Sequence, residues 1–204
     1  MATTAAPYGF VPVRKADGTP YTGARDAFLI TPAGVAQNIG YGSLVEINAG
    51  YVQLASGTGA DATNNNLGGN AIGALGVFVG CEYINAEGQL IFAQFYPSGT
   101  ANATAYVIVD SGVTFQVQAD GAIAQTALGH NAPLTGAQNA TTSVNTATGK
   151  SNIALDATTA TASRAFKVIG FVTKTGSTIG DARTDVLVKF NLPYHQFGTG
   201  IIGE

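Results

Sequence analysis

The sequence predicts an all-β fold, a single β-barrel or β-sandwich domain, from two observations. First, apolar and polar residues alternate with a period of two: in VTFQVQ, Val113, Phe115 and Val117 share one face, as in a half-buried strand. Second, the 27 glycines and 7 prolines leave few windows long enough for a helix. Many short strands with little helix are typical of sandwiches and barrels.

The strand candidates follow in chain order, separated by turn residues such as the Asp17-Gly18 and Asp120-Gly121 pairs. DVLVKF, residues 185–190, repeats the period-two alternation. LIFAQFY (90–96) and AYVIVD (105–110) are apolar on both faces, which predicts central strands that are covered on each side. Shorter candidates begin at Ala27, Leu44, Tyr51, Leu75, Ile153 and Lys167.

Two apolar runs, LGVFVGCEY from Leu75 and IGFVTKTG from Ile169, contain a glycine in the middle of a predicted strand. Such a glycine indicates a β-bulge or the close approach of another backbone. At most one short helix is expected, in DGAIAQTALG (120–129). There Asp120 would cap the start and Gly129 would close the end.

The chain divides into an extended N-terminal arm (1–26), a β-domain (27–191) and a C-terminal tail (192–204). Pro7, Pro12 and Pro20 favour an extended arm over a packed element. The polar, low-complexity stretches 56–70 and 135–152 predict long loops, which are either functional or disordered.

The charge content excludes several classes of partner. Lys and Arg number 9 and Asp and Glu 12, without a basic cluster, so nucleic acid is not expected to bind. No apolar run reaches the roughly 20 residues that span a bilayer, and the N-terminus lacks a signal peptide, so we expect an intracellularly made protein without a membrane. Only 10% of residues are charged. Either the surface is simply uncharged, or much of it lies against other protein.

The only cysteine, Cys81, is a candidate nucleophile beside Glu82, with His130 and His195 as candidate bases. FVGCEY carries no signature of a catalytic cysteine, so we expect Cys81 to pack as a small hydrophobe and Glu82 to point outward. Asp181 and Asp185 could approach a cation, but the spacing favours a hairpin turn. No cofactor, metal or catalytic activity is predicted.

Several segments resemble the capsid decoration, or cement, proteins of tailed bacteriophages: AAPYGFVPV, GVFVGCEY, FYPSGT, TFQVQADGAIAQTALGHNAPL, VIGFVTK and IGDARTDVLVKFN. The resemblance extends from Ala6 to Asn191. It implies a structural protein of the virion, made in the host cytoplasm and bound to the outer surface of the capsid. Such proteins form homotrimers at local threefold axes and clamp neighbouring subunits of the major capsid protein.

The resemblance places the capsid contact in the arm around Tyr8, Phe10 and Pro12. Arg14 and Lys15 add the densest pair of cations in the chain. An extended segment can pair its backbone with the edge of a partner's sheet while alternate side chains fill pockets. We therefore expect the arm to bind the capsid and to be dispensable for folding.

Two other classes stay open. A tail or fibre adhesin would also be β-rich and weakly charged, although its long repeats are not visible here. A carbohydrate-active enzyme would need two carboxylates facing an aromatic cleft, whereas the acids here lie mostly in turns and the chain has no Trp.

Overall fold

The fold is all-β, as the alternation predicts, and the computed structural model describes residues 4–58, 73–136, 138, 143–173 and 177–198. Within these residues thirteen strands form two antiparallel sheets and one small hairpin. The helical elements found there are two 3₁₀ turns of 3 residues each, Gln125–Ala127 and Leu192–Tyr194. Most of the loop predicted at 56–70 lies outside the described residues.

The first sheet has five strands in the order β1-β8-β13-β12-β9, and every neighbouring pair is antiparallel. In this order the first strand of the chain and the last one both pair with β8. Its strands are β1 (Val11–Lys15), β8 (Val113–Gln118), β9 (Asn131–Ala132), β12 (Phe166–Phe171) and β13 (Asp185–Phe190).

The second sheet has the order β2-β7-β5-β3-β4, and β6 pairs with the second half of β5. A parallel bridge between Ile30 and Val52 links the end of β2 to β4, so the sheet curls towards closure. Its strands are β2 (Asp26–Leu29), β3 (Leu44–Asn48), β4 (Tyr51–Leu54), β5 (Gly76–Ile84), β6 (Leu90–Ala93) and β7 (Thr104–Ile108). A separate hairpin pairs β10 (Val144–Asn145) with β11 (Lys150–Ser151), within the stretch predicted to be a loop.

Both glycines inside apolar runs mark β-bulges, as predicted. The ladder between β5 and β7 shifts register between Phe78 and Gly80, and the ladder between β12 and β13 shifts between Val168 and Gly170. Gly80 has φ of 148°, a value that side-chain-bearing residues rarely adopt. The extra residue lets Phe78 and Cys81 face the same core although they lie three positions apart.

The second sheet separates two apolar cores. The first core lies between the sheets, where Val77 and Ile108 meet Phe115 and Val188. The second core lies on the other face of the second sheet and includes Phe78, Cys81 and Tyr96. Because β5 alternates its side chains between both cores, it is buried on two faces along its first half.

The N-terminal segment is extended, but the prediction of an arm separate from the β-domain is wrong. Its residues Val11–Lys15 form β1 and pair with β8. Phe10 is fully buried, with its ring stacked at 4.7 Å on Phe166 and edge-on at 6.2 Å to Phe115. The prolines do not prevent this arrangement, because Pro12 lies in an edge strand beside a bulge, where a missing N–H is tolerated.

The predicted C-terminal tail is also part of the packed domain as far as the structure describes it. Tyr194 and His195 are buried, and Ala74 donates its N–H to the Tyr194 carbonyl at 2.9 Å. The Gln196 side chain accepts the Ile47 N–H at 2.7 Å and donates to the Ile47 carbonyl at 3.0 Å. Its amide group therefore pairs with the backbone of β3 as a residue of a neighbouring strand would. Residues 199–204 lie outside the described residues.

Two local predictions also need correction. The predicted helix at 120–129 is reduced to the 3₁₀ turn, because Asp120 accepts the Ala157 N–H at 2.8 Å instead of capping a helix. LIFAQFY is not a central strand: only Leu90–Ala93 is a strand, it pairs with β5 alone, and Leu90 and Phe92 are exposed. AYVIVD, in contrast, contributes to β7, which lies between β2 and β5 as predicted.

Replacing Phe10 tests whether the N-terminal segment belongs to the core. We expect Phe10→Ala to lower the free energy of unfolding by about 3–5 kcal/mol, because a buried ring is lost between two other rings. Val13→Ala in the neighbouring strand, where the side chain is 40% exposed, should cost less than about 1 kcal/mol. Denaturant unfolding of both variants measures the difference, and equal stabilities would contradict the placement of Phe10.

Candidate functional site

Cys81 lies in the second core on β5 and packs as a hydrophobe, as predicted. Its thiol donates to the Phe95 carbonyl at 3.5 Å, and burial raises its pKa to about 12. The thiol is therefore protonated at neutral pH. No hydrogen bond joins it to His130 or His195 in the described part of the chain, so these residues do not assemble a nucleophile and base.

His195 is a buried residue of the first core. Its Nδ1 accepts the Phe197 N–H at 3.2 Å, and its ring lies edge-on to Phe190 at 5.4 Å. Burial lowers the pKa of His195 below its ordinary value, so the ring is neutral at pH 7. The aspartates serve separate local contacts: Asp181 accepts the Thr178 N–H at 2.9 Å, and Asp185 accepts the Tyr8 hydroxyl at 3.0 Å.

The five residues predicted to contact a capsid do not form one surface. Phe10 is buried, and the Tyr8 hydroxyl is held at 2.8 Å by Gln116 as well as by its bond to Asp185, which fixes it against its own sheet. Pro12 is half-buried in β1. Arg14 is exposed, and Lys15 lies 3.9 Å from a carboxylate oxygen of Asp110.

Glu82 occupies the outward face of β5, as the alternation from Cys81 predicts. Tyr106 on the neighbouring strand donates its hydroxyl to Glu82 Oε2 at 2.7 Å, which raises the pKa of Tyr106. The Arg25 guanidinium lies 4.1 Å from the centre of the Tyr106 ring. Tyr106 thus links the two charged groups: its hydroxyl binds the Glu82 carboxylate, and the face of its ring contacts the Arg25 guanidinium in a cation–π interaction.

Around Glu82 lies an apolar face that the sequence pattern does not predict. One row across the second sheet runs from Leu29 through Thr104 and Glu82 to Phe92, each residue directly opposite the next. Two further apolar residues pair on the same face at the end of the β5–β6 hairpin. The apolar face comprises Leu29, Ile84, Leu90 and Phe92, which are 61%, 64%, 58% and 67% exposed.

The apolar face is exposed because β5 is longer than the sheet that covers it. Val77 and Val79 at the start of β5 pack against the first core, whereas Ile84 at its end has no sheet above it. The hairpin is fixed locally, since the Asn85 side chain accepts the N–H groups of Glu87 and Gln89 and Gly88 has φ of 80°. The exposed side chains are therefore presented on an ordered scaffold.

Labelling of the native thiol tests the assignment of Cys81 to the core. Because maleimides react with thiolates and the pKa is about 12, we expect native Cys81 to label slowly even near pH 9, and rapidly in guanidinium. A control variant that carries Cys81→Ala and Leu128→Cys moves the thiol to a position that is 47% exposed and should label at once. Rapid labelling of the native wild-type chain would contradict this assignment.

The apolar face is suited to binding another molecule, because large apolar side chains on a sheet contribute to binding when they are buried. Among the described residues, no group of three or more His, Cys, Asp and Glu side chains is placed to hold a metal ion. In the same part of the chain, no helix has the length and apolar character needed to cross a membrane.

No protein-family model, curated protein or solved structure matches this chain.

Proposed function

We propose that this chain is a structural protein of a tailed-phage head that binds the outer surface of the capsid and stabilises contacts between major capsid protein subunits. The observation that carries the proposal is the apolar face, where four large side chains share one side of the second sheet. Large exposed apolar residues that share one face are typical of protein–protein interfaces. The segments that resemble decoration proteins supply the identity of the partner, and no catalytic role is assigned.

We assign the contact with the capsid to the apolar face and not to the N-terminal arm. Phe10 would have to leave the first core to bind a partner, which would cost its aromatic contacts. Phe92 and Leu90, in contrast, present most of their surface without any rearrangement. When a partner covers Phe92 and Leu90, few side chains of this chain have to become ordered, so the entropic cost of binding falls mainly on the partner.

The apolar face also specifies the chemistry of the surface it fits. The ionisable groups beside it are Glu82 and Tyr106, which share a hydrogen bond of 2.7 Å, and Arg25, whose guanidinium lies 4.1 Å from the centre of the Tyr106 ring. A capsid surface that matches this face is therefore apolar, with one donor near Glu82, because an unpaired carboxylate is costly to bury. Charged residues elsewhere on such a partner would lie at the rim.

Substituting Phe92 tests this contact. We expect Phe92→Ala to weaken binding to empty capsids of the same phage by about 30-fold, because truncating an aromatic residue that becomes buried in an interface costs about 2 kcal/mol. Leu128→Ala is the matched control, since Leu128 is 47% exposed but lies outside the apolar face. Co-sedimentation with capsids measures both. Equal binding by Phe92→Ala and wild type would contradict the use of this face, and no binding by wild type would contradict the proposed function.

The resemblance further implies a homotrimer. Three subunits that bind together at a threefold axis would bind the capsid more tightly than one subunit does, because of avidity. We expect the full chain at micromolar concentration and physiological salt to show the mass of three subunits by light scattering after gel filtration. Because few charges have to be desolvated in its interfaces, the trimer should persist across a wide range of salt. A monomer under these conditions would contradict the prediction.

A further inference from the structure

Two lysines face each other across the first sheet. Lys167 on β12 and Lys189 on β13 are direct partners in the antiparallel ladder, so their side chains project from the same face. Both are half-buried, and neither ammonium group is paired with a carboxylate in the described part of the chain. Like charges that stand directly opposite each other destabilise a sheet, so this pair lowers the stability of the fold.

The same row of the sheet carries a third cation. Arg14 on β1 is opposite Thr114 on β8, and continuing the β8–β13 register by one residue places Lys189 beside Thr114. We call Arg14, Lys189 and Lys167 the basic row. Neighbouring strands are about 4.8 Å apart, so Lys167 and Lys189 lie within a Debye length of each other at physiological salt, whereas Arg14 is two strands away from Lys189 and is largely screened from it. No Asp or Glu occurs among the residues of this row.

An open depression of 570 Å³ lies at the lysine end of the basic row. Lys167 and Lys189 line it together with the hydroxyl-bearing residues Thr161 and Ser163, and Leu192 and Pro193 form an apolar wall. Among the described residues that line the depression, none carries a carboxylate. It therefore combines two unpaired positive charges, neutral hydrogen-bonding groups and an apolar surface.

The rim of this depression is held in place by hydrogen bonds. Asn191 donates from its side-chain Nδ2 to the Arg164 carbonyl at 2.7 Å and to Asn131 Oδ1 at 3.0 Å. Asn131 in turn donates to the Ala162 carbonyl at 3.0 Å. These bonds join the strands to the loop above them, so the site does not have to be ordered when a ligand binds.

We propose that this depression binds an acidic peptide segment of a protein partner, with a carboxylate between Lys167 and Lys189 and an adjacent apolar side chain against Leu192 and Pro193. A carboxylate placed there replaces repulsion between two ammonium groups by two attractive contacts. The apolar wall favours a peptide over a free phosphate ion, which has nothing to place against it. A polyanionic nucleic acid is disfavoured by the net charge of −3.

This inference concerns the first sheet and does not rest on the proposed function, which uses the apolar face of the second sheet. The test uses the isolated full-length chain without capsids. The probe is a fluorescently labelled, end-capped hexapeptide of alternating glutamate and leucine, and a matched peptide carries glutamine in place of glutamate. Fluorescence anisotropy at low ionic strength measures the affinity of each, and inorganic phosphate is added as a competitor.

We expect saturable binding of the glutamate peptide, no binding of the glutamine peptide, and weak competition by phosphate. The double variant Lys167→Gln/Lys189→Gln should bind at least about tenfold more weakly, because two charge contacts are lost. Lys150→Gln, on the separate hairpin, removes one exposed cation elsewhere and should bind as wild type does. Thermal unfolding at low salt is the second readout: the double variant should melt at a higher temperature, because the repulsion between the lysines is gone.

Three results would overturn the proposal. The first is equal binding of the glutamate and glutamine peptides, which would mean that no carboxylate is recognised. The second is unchanged affinity in the folded double variant, which would place the binding elsewhere. The third is displacement of the peptide by phosphate at equal concentration, which would indicate a simple anion site.

Discussion

Four phenylalanine rings between the two sheets hold the architecture together. Phe10 stacks on Phe166 at 4.7 Å, and Phe115 and Phe190 meet edge-on at 6.0 Å. They come from the start, the middle and the end of the chain and join the strands of the first sheet, and they share one core with Val77 and Ile108 of the second sheet. Each aromatic contact adds about 0.5–1.5 kcal/mol to the burial of its surface. The position of this layer decides which part of β5 is covered and therefore which side chains remain exposed.

The strands and bulges could be predicted because they depend on local patterns. Alternation identified β8 and β13, and Gly80 and Gly170 each lie at the bulge that their apolar runs indicate. The burial of Phe10 could not be predicted in this way. A proline restricts its own φ and the residue before it, which favours extended backbone but does not say whether that backbone joins a sheet.

The two candidate surfaces depend on pairing between distant residues, which one sequence does not reveal. The apolar residues Leu90 and Phe92 resemble a core strand in the sequence, and they are exposed only because β6 lies at an edge beyond the covering sheet. Lys167 and Lys189 each sit in an ordinary alternating strand. Only the register of β12 against β13 brings them opposite each other, and that register is shifted by the bulge at Gly170.

The pairing of the N-terminal segment with late strands also determines how the chain can fold. Tyr8 bonds to Asp185, 177 positions further along the chain, and to Gln116, 108 positions further along. Contacts of such high sequence separation slow folding, because a long loop must close before they are gained. During synthesis the first sheet cannot be completed until β13 has left the ribosome. Until that moment β8 lacks its neighbour on one side, and its unpaired backbone groups are open to pairing with another chain.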